Sequence, residues 1–250
     1  MLETLHRPTI FAHRGASAHA PENTLAAFEL ALEQGADGIE LDAKLSADGH
    51  AVVIHDATVD RTTGGKGHVK DMSLADLRAL DAGSFFAEKY RGEKIPTLEE
   101  VFEALGKRMF INVELTNYKT PGDHLVESVC MLVKKFDLQK QVLFSSFLSS
   151  NLSKARGLLP EVPRGLLALN GLLGAWARSF DFAFGRYQAL HPYLKDVSPQ
   201  QIQRVHRLQR RVHVWTVNAA EDMRRLFDWG VDAIFTDDPQ LAVQVRGESE

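Results

Sequence analysis

The chain has a single cysteine, Cys130, among its 250 residues. One thiol excludes an intrachain disulfide and fits a reducing compartment. Val126, Val129 and Val133 put that cysteine on the apolar face of a helical stretch, where a thiol is buried and inert. Positive charge is not in excess. Lysine and arginine total 29 against 33 aspartates and glutamates, a net charge of −4, so there is no bulk attraction to nucleic acid or to an anionic membrane. Long apolar runs are missing too. The most apolar window, residues 165–177, is too short to cross a bilayer and is soon followed by Arg178 and Asp181. Residues 1–8 lack the apolar stretch of a signal peptide. These absences lead to the expectation of a soluble, cytoplasmic protein with no nucleic-acid partner and no stable membrane insertion; a homo-oligomer is left open. No repeat or low-complexity segment stands out. The cluster Thr62-Thr63-Gly64-Gly65-Lys66-Gly67 is not a phosphate loop, because a glycine follows the lysine and no apolar strand leads directly into it.

What is present is a dense group of polar residues between positions 13 and 55. Gly38-Ile39-Glu40-Leu41-Asp42 alternates, which predicts a strand with Glu40 and Asp42 on one face. Two residues of strand advance roughly 6.6 Å, a gap that side chains can lean to close onto one cation. Oxygen ligands alone favour a hard cation such as magnesium or calcium. A solvated strand face is the other reading of that pair. Asp48-Gly49 is a two-residue hairpin signal. Counting outward from it pairs Leu45 with Val52 and Asp42 with His55. Opposed residues share a face about 5 Å apart at Cβ, so a histidine is expected beside the carboxylates.

Hydrophobic residues make up 44% of the chain, enough for a sizeable core. Their periodicity predicts parallel strands near 10, 40, 113, 143, 167, 189, 214 and 234. Helices are expected at 24–34, 97–105, 124–136, 149–158, 198–209, 220–229 and after Pro239, with a partly helical 172–184. Eight β-α units predict an α/β TIM (β/α)8 barrel, one domain over 1–250. The strand at 51–55 can only be antiparallel to its neighbour and is expected above the barrel mouth. After it, about 56–96 reads as an insertion with little regular structure beyond a short helix near 73–80. Active sites of such barrels lie at the C-terminal strand ends. His13-Arg14 ends the first strand, Glu40 and Asp42 the second, and Glu114 the third, so these groups are expected at one mouth.

His13-Arg14-Gly15, Pro21-Glu22-Asn23-Thr24, Glu40-Leu41-Asp42, Val53-Ile54-His55-Asp56, Asn112-Val113-Glu114, Trp215-Thr216-Val217-Asn218 and Thr236-Asp237 together resemble the glycerophosphodiester phosphodiesterase family, of the bacterial type. The resemblance covers nearly the whole chain. It implies a TIM barrel that hydrolyses a small glycerophosphodiester to glycerol 3-phosphate and an alcohol with the help of one divalent cation, magnesium or calcium. It implies Glu40, Asp42 and Glu114 as metal ligands, His13 and His55 as the acid/base pair, and Arg14 as the phosphate-binding arginine. The nucleophile it suggests is water or the glycerol 2-hydroxyl. Beside it, Glu22 is expected to brace Arg14 and the substrate mouth, and Trp215 to line the glycerol pocket. One position departs: where many family members have a lysine two residues after the third-strand glutamate, this chain has Thr116, and Lys119 is the nearest candidate to replace the charge. Trp176, Phe180, Phe182 and Phe184 are expected in the core or a subunit interface, with an apolar wall at the mouth as the alternative. Asp237 and Asp238 read as turn and capping residues. The competing functions are a lysophospholipase D, a non-catalytic binding barrel, and an enolase-like enzyme for which His191 and His213 are the only late-strand bases.

Overall fold

The structure, a computed structural model, describes residues 2–248; of the span expected to form one domain, Met1, Ser249 and Glu250 lie outside the described residues. Among the described residues nine strands occur in order: β1 (Thr9–His13), β2 (Gly38–Leu45), β3 (Ala51–Val53), β4 (Phe110–Leu115), β5 (Val142–Ser146), β6 (Arg164–Ala168), β7 (Ala189–Pro192), β8 (Arg211–Val214) and β9 (Ala233–Thr236). All but β3 pair in parallel, and β1 joins both β2 and β9, which closes eight strands into a barrel. The eight expected strand positions all fall on barrel strands. Parallel neighbours need a crossover, and the helices supply it. Several helices start where the sequence offers a cap. Thr24 accepts from the Ala27 amide, Thr97 forms a capping box with Glu100, and Pro199 and Pro239 occupy first turns.

The main core lies between barrel wall and helices, where residues such as Val101, Phe102, Val129 and Val133 are buried against outward strand side chains. A second layer fills the barrel itself. Phe11 stacks on Phe235 with ring centroids 5.3 Å apart, and His191 stacks on His213 at 4.8 Å. Gly165 makes room for this plug, since a Cβ there would lie 2.1 Å from His191 Nε2. Burial keeps both histidines neutral: His191 is driven well below the ordinary histidine value and His213 down to about 4.

The hairpin register differs from the expected one. Ala43 pairs with Val53, Lys44 with Val52 and Leu45 with Ala51, so Asp42 lies opposite Ile54 and not His55. Ser46 closes a three-residue loop: its backbone amide donates to His50 O, and its hydroxyl accepts from the His50 amide. Gly49 takes the left-handed position that this longer turn requires, with φ 83°. The segment after β3 is also better built than its composition suggests. Val52, Ile54, Val59, Val69, Leu77 and Ile95 form a separate buried cluster, and the expected short helix, Leu74–Ala79, starts in a capping box. Of the late aromatic stretch only Phe182 is core; Trp176, Phe180 and Phe184 are exposed. Among the described residues no helix is long and apolar enough to cross a membrane.

Candidate active site

Strand register assembles the site. His13 pairs with Glu40, Glu40 with Asn112, and Asp42 with Glu114, so residues from three neighbouring strand ends meet at one mouth. His13, Arg14, Glu40, His55, Glu114 and Trp215 all line a cavity of about 80 Å³ there. His55 reaches it from beyond the end of β3, so the expected neighbourhood holds although the expected pairing does not.

Glu40, Asp42 and Glu114 each present an oxygen within 4.8 Å of the others. Glu40 Oε1 is buried and has no hydrogen-bond partner. Burial, with Asp42 and Glu114 beside it, holds the Glu40 carboxyl well above its usual range. Burial and Asp42 push Glu114 up to about 7. At Asp42 burial is outweighed by Arg14 and His55, which leave that carboxyl below its usual value, so positive charge already sits beside one of the three. An all-oxygen donor set with one unsatisfied oxygen fits a hard divalent cation.

Arg14 supplies part of the positive charge. Its backbone amide donates to Glu40 Oε2 at 3.1 Å, its Nε lies 3.3 Å from Asp42 Oδ2, and its Nη1 donates to Glu22 Oε1 at 3.0 Å. Burial opposes the guanidinium's charge, but Asp42, Glu22 and Glu40 outweigh it and raise its pKa. The backbone is left-handed at Arg14, φ 58°, and at Asn23, φ 57°, and the Asn23 amide donates to Arg14 O. Such strain persists only where the surroundings over-determine it. Asn23 Nδ2 also donates to Asp42 Oδ2 at 2.9 Å. Glu22 sits beneath two guanidiniums, taking Arg14 on one oxygen and Arg61 on both.

Each histidine is held through Nδ1 by a carboxylate. His13 lies 2.6 Å from Asp237 Oδ1, and His55 lies 2.7 Å from Asp56 Oδ1. Ser17 Oγ and Asn218 Nδ2 donate to the same Asp237 carboxylate. Burial pushes the Asp237 carboxyl up, but His13, Asn218 and Ser17 outweigh that and leave it below its usual value. Burial likewise opposes Asp56, yet Arg61 and His55 bring it down to about 2. An Nδ1 tied to a carboxylate leaves Nε2 for proton transfer.

Four further residues join the site: Asp237, expected from the sequence only as a turn or capping residue, and Arg61, Tyr118 and Lys44, which carry no expected role. Asp237 orients His13, and barrel closure is the signal that could have found it: β9 runs beside β1, with Ala12 paired to Thr236. Arg61 links Asp56 to Glu22. Tyr118 OH donates to Glu114 Oε1 at 2.7 Å and accepts from the Phe147 amide. The fourth is Lys44, whose Nζ donates to Thr116 Oγ1 at 2.7 Å and Thr116 O at 3.0 Å. An ammonium from β2 therefore lies over the position where the resemblance leads one to look for a lysine; Lys119 lines the same groove as Lys44. Trp215 donates through Nε1 to His191 O, with its ring edge-on to Phe147 at 5.7 Å. His191 and His213, the candidates for an enolase-like base, are stacked, buried and neutral.

Residues 13–241 match the model of the glycerophosphoryl diester phosphodiesterase family. The chain is 41% identical over 237 residues to a glycerophosphodiester phosphodiesterase of Caldanaerobacter subterraneus subsp. tengcongensis, covering 94% of this chain and 96% of that one. It is 38% identical over 247 residues to a glycerophosphodiester phosphodiesterase of Bacillus altitudinis, covering 96% and 98%. A phosphodiesterase of Oleispira antarctica, solved in complex with the product sn-glycerol-3-phosphate, superposes with a TM-score of 0.88 at 34% identity, covering 96% of this chain and 97% of that one.

Proposed function

The chain belongs to the glycerophosphoryl diester phosphodiesterase family, and on that premise we propose that it hydrolyses glycerophosphodiesters to sn-glycerol 3-phosphate and an alcohol. The observation that carries this reading is the pair of carboxylate-held histidines, His13 with Asp237 and His55 with Asp56, on one cavity with Arg14, Glu40 and Glu114. A phosphodiester has one negative charge and gains more in the transition state. Positive charge at its non-bridging oxygens therefore lowers the barrier. Arg14, fixed by Glu22 and Asp42, presents a guanidinium there. Glu40, Asp42 and Glu114 would hold one divalent cation, magnesium or calcium, which when bound supplies further charge to the same oxygens. One histidine removes the nucleophile's proton and the other protonates the leaving oxygen, which as a bare alkoxide leaves poorly. Those roles belong to the pair. The nucleophile is water or the glycerol 2-hydroxyl, and a substrate lacking that hydroxyl separates the two: undiminished turnover excludes internal attack. Trp215 and Phe147 offer apolar faces to the glycerol carbons. The same proposal includes the cytoplasm as the site of action, consistent with a lone cysteine that is buried and whose thiol burial pushes up to about 12.

Purified protein supplied with glycerophosphoglycerol and a divalent cation should release sn-glycerol 3-phosphate and glycerol in equal amounts. Release of inorganic phosphate instead, or of neither product, overturns the assignment. A second reading, hydrolysis of lysophospholipids, has one observation in its favour. The segment after β6, at the catalytic end of the barrel, exposes Leu172 at 94% and Phe184 at 82%, an apolar surface suited to an acyl chain. Faster turnover of lysophosphatidylcholine than of glycerophosphocholine would select it.

A further inference from the structure

We propose that a groove beside the barrel mouth is the subsite for the departing alcohol, and that it selects alcohols carrying negative charge of their own. This subsite rests on the phosphodiesterase reading above and adds the substrate class that reading leaves open. Size divides the substrate first. The mouth cavity of about 80 Å³ takes a handful of water-sized groups at about 10–15 Å³ each, room for a phosphate and a three-carbon polyol. The groove measures about 560 Å³, within the span of roughly 300–1,000 Å³ common to small-molecule sites. His55 lines both recesses, so they adjoin at the catalytic histidine. An alcohol leaving the phosphate beside His55 has the groove before it.

Charge then selects the alcohol. Lys44, Thr116, His68, Lys70 and Lys119 all line the groove. Lys44 donates twice to Thr116, and its charge is shared with Asp42, Glu114 and Asp56, so Lys70 and Lys119 carry the groove's unshared charge. Lys70 and Lys119 have no ion-pair partner among the described residues. The groove's two carboxylates are already engaged. Asp56 accepts from Arg61 and pairs with His55, while Asp123 accepts from Asn117, Thr120 and the Leu125 amide. A local surplus of cations stands out in a molecule of net charge −4. A quaternary ammonium would meet the opposite of what it needs, an aromatic cage. Apart from histidines the groove has one aromatic ring, Tyr118, with its hydroxyl committed to Glu114. A phosphorylated or carboxylated polyol fits both the volume and the charge.

The test compares kcat/KM of the full chain on glycerophosphocholine, glycerophosphoglycerol and glycerophosphoinositol 4-phosphate, in wild type and in the Lys70→Glu/Lys119→Glu double variant. Wild type should favour the inositol phosphate over choline by about fivefold or more, the scale of two exposed charge contacts. The preference should shrink in 0.5 M salt, where charges are screened beyond about 4 Å, and reverse in the double variant at an unchanged melting temperature. Equal rates across headgroups, a preference for choline, or a preference untouched by charge reversal overturns the subsite alone. No turnover of any of the three overturns the phosphodiesterase reading and the subsite with it.

Discussion

At Asp237 the carboxylate oxygens are shared among His13, Ser17 and Asn218. Removing its charge while keeping its shape leaves His13 without the partner that fixes its tautomer. Asp237→Asn should therefore lower kcat by roughly 10²-fold, the low end of what a positioned acid or base contributes, with little change in KM. A loss under twofold in steady-state rates would return Asp237 to a turn residue. Tyr118 acts on the triad from outside it. Tyr118→Phe removes the hydrogen bond on Glu114 Oε1, and affinity for the divalent cation, read by calorimetry, should weaken by about tenfold or more. Unchanged affinity would mean that Glu114 is oriented by the strand alone. The residues of the triad were readable from strand alternation and from the barrel's habit of gathering functional groups at strand C-terminal ends. Asp237, Tyr118 and Lys44 were not, because each acts through a partner on a different strand or past a strand end, which no local pattern encodes.

At the scale of elements, the turn after β1 carries the site. Gly15 has φ 85°, and a Cβ there would lie 2.7 Å from Ala27 C and Cβ in the helix Leu25–Glu33. Both the dihedral and the contact demand glycine. Gly15→Ala should push the turn off the helix, moving Arg14 and His13, and cost about 1–3 kcal/mol of stability in a denaturant titration together with most of the activity. Full activity and an unchanged midpoint would show the turn to be adaptable. The hairpin shows why a turn signal underdetermines register. Asp48-Gly49 serves a two-residue loop and a longer loop equally well. The choice falls to Ser46, whose hydroxyl donates to Asp48 Oδ1 at 2.6 Å and accepts from the His50 amide. That one-residue change turns Ile54 toward the buried cluster of the insertion and leaves His55 at the mouth.

For the molecule as a whole, closure matters most. Eight β-α units were legible because each strand and helix repeats its own period, and closure then puts the last strand beside the first, bringing Asp237 to His13. Closure also buries the histidine pair. His213 titrates at about 4 in the fold, lowered by burial against the opposing field of Asp232, while its ordinary value is 6.5. Between those values the unfolded chain binds a proton that the fold does not, so stability falls as pH drops from about 6.5 toward 4. At about 1.36 kcal/mol per pH unit the loss from His213 alone is on the order of 3 kcal/mol. Melting curves at pH 7, 5.5 and 4.5 should show it, and His213→Gln should flatten the slope. Parallel slopes in the two proteins would remove His213 from the acid response.

The most direct measurement follows sn-glycerol 3-phosphate release from glycerophosphoglycerol by the chelated protein, by the same protein with magnesium or calcium restored, and by His13→Ala under both conditions. Release that appears only with the divalent cation and is lost in the variant is the predicted result. Equal release after chelation, or a His13→Ala variant as active as wild type, would contradict a metal-dependent site built on the carboxylate triad and the paired histidines.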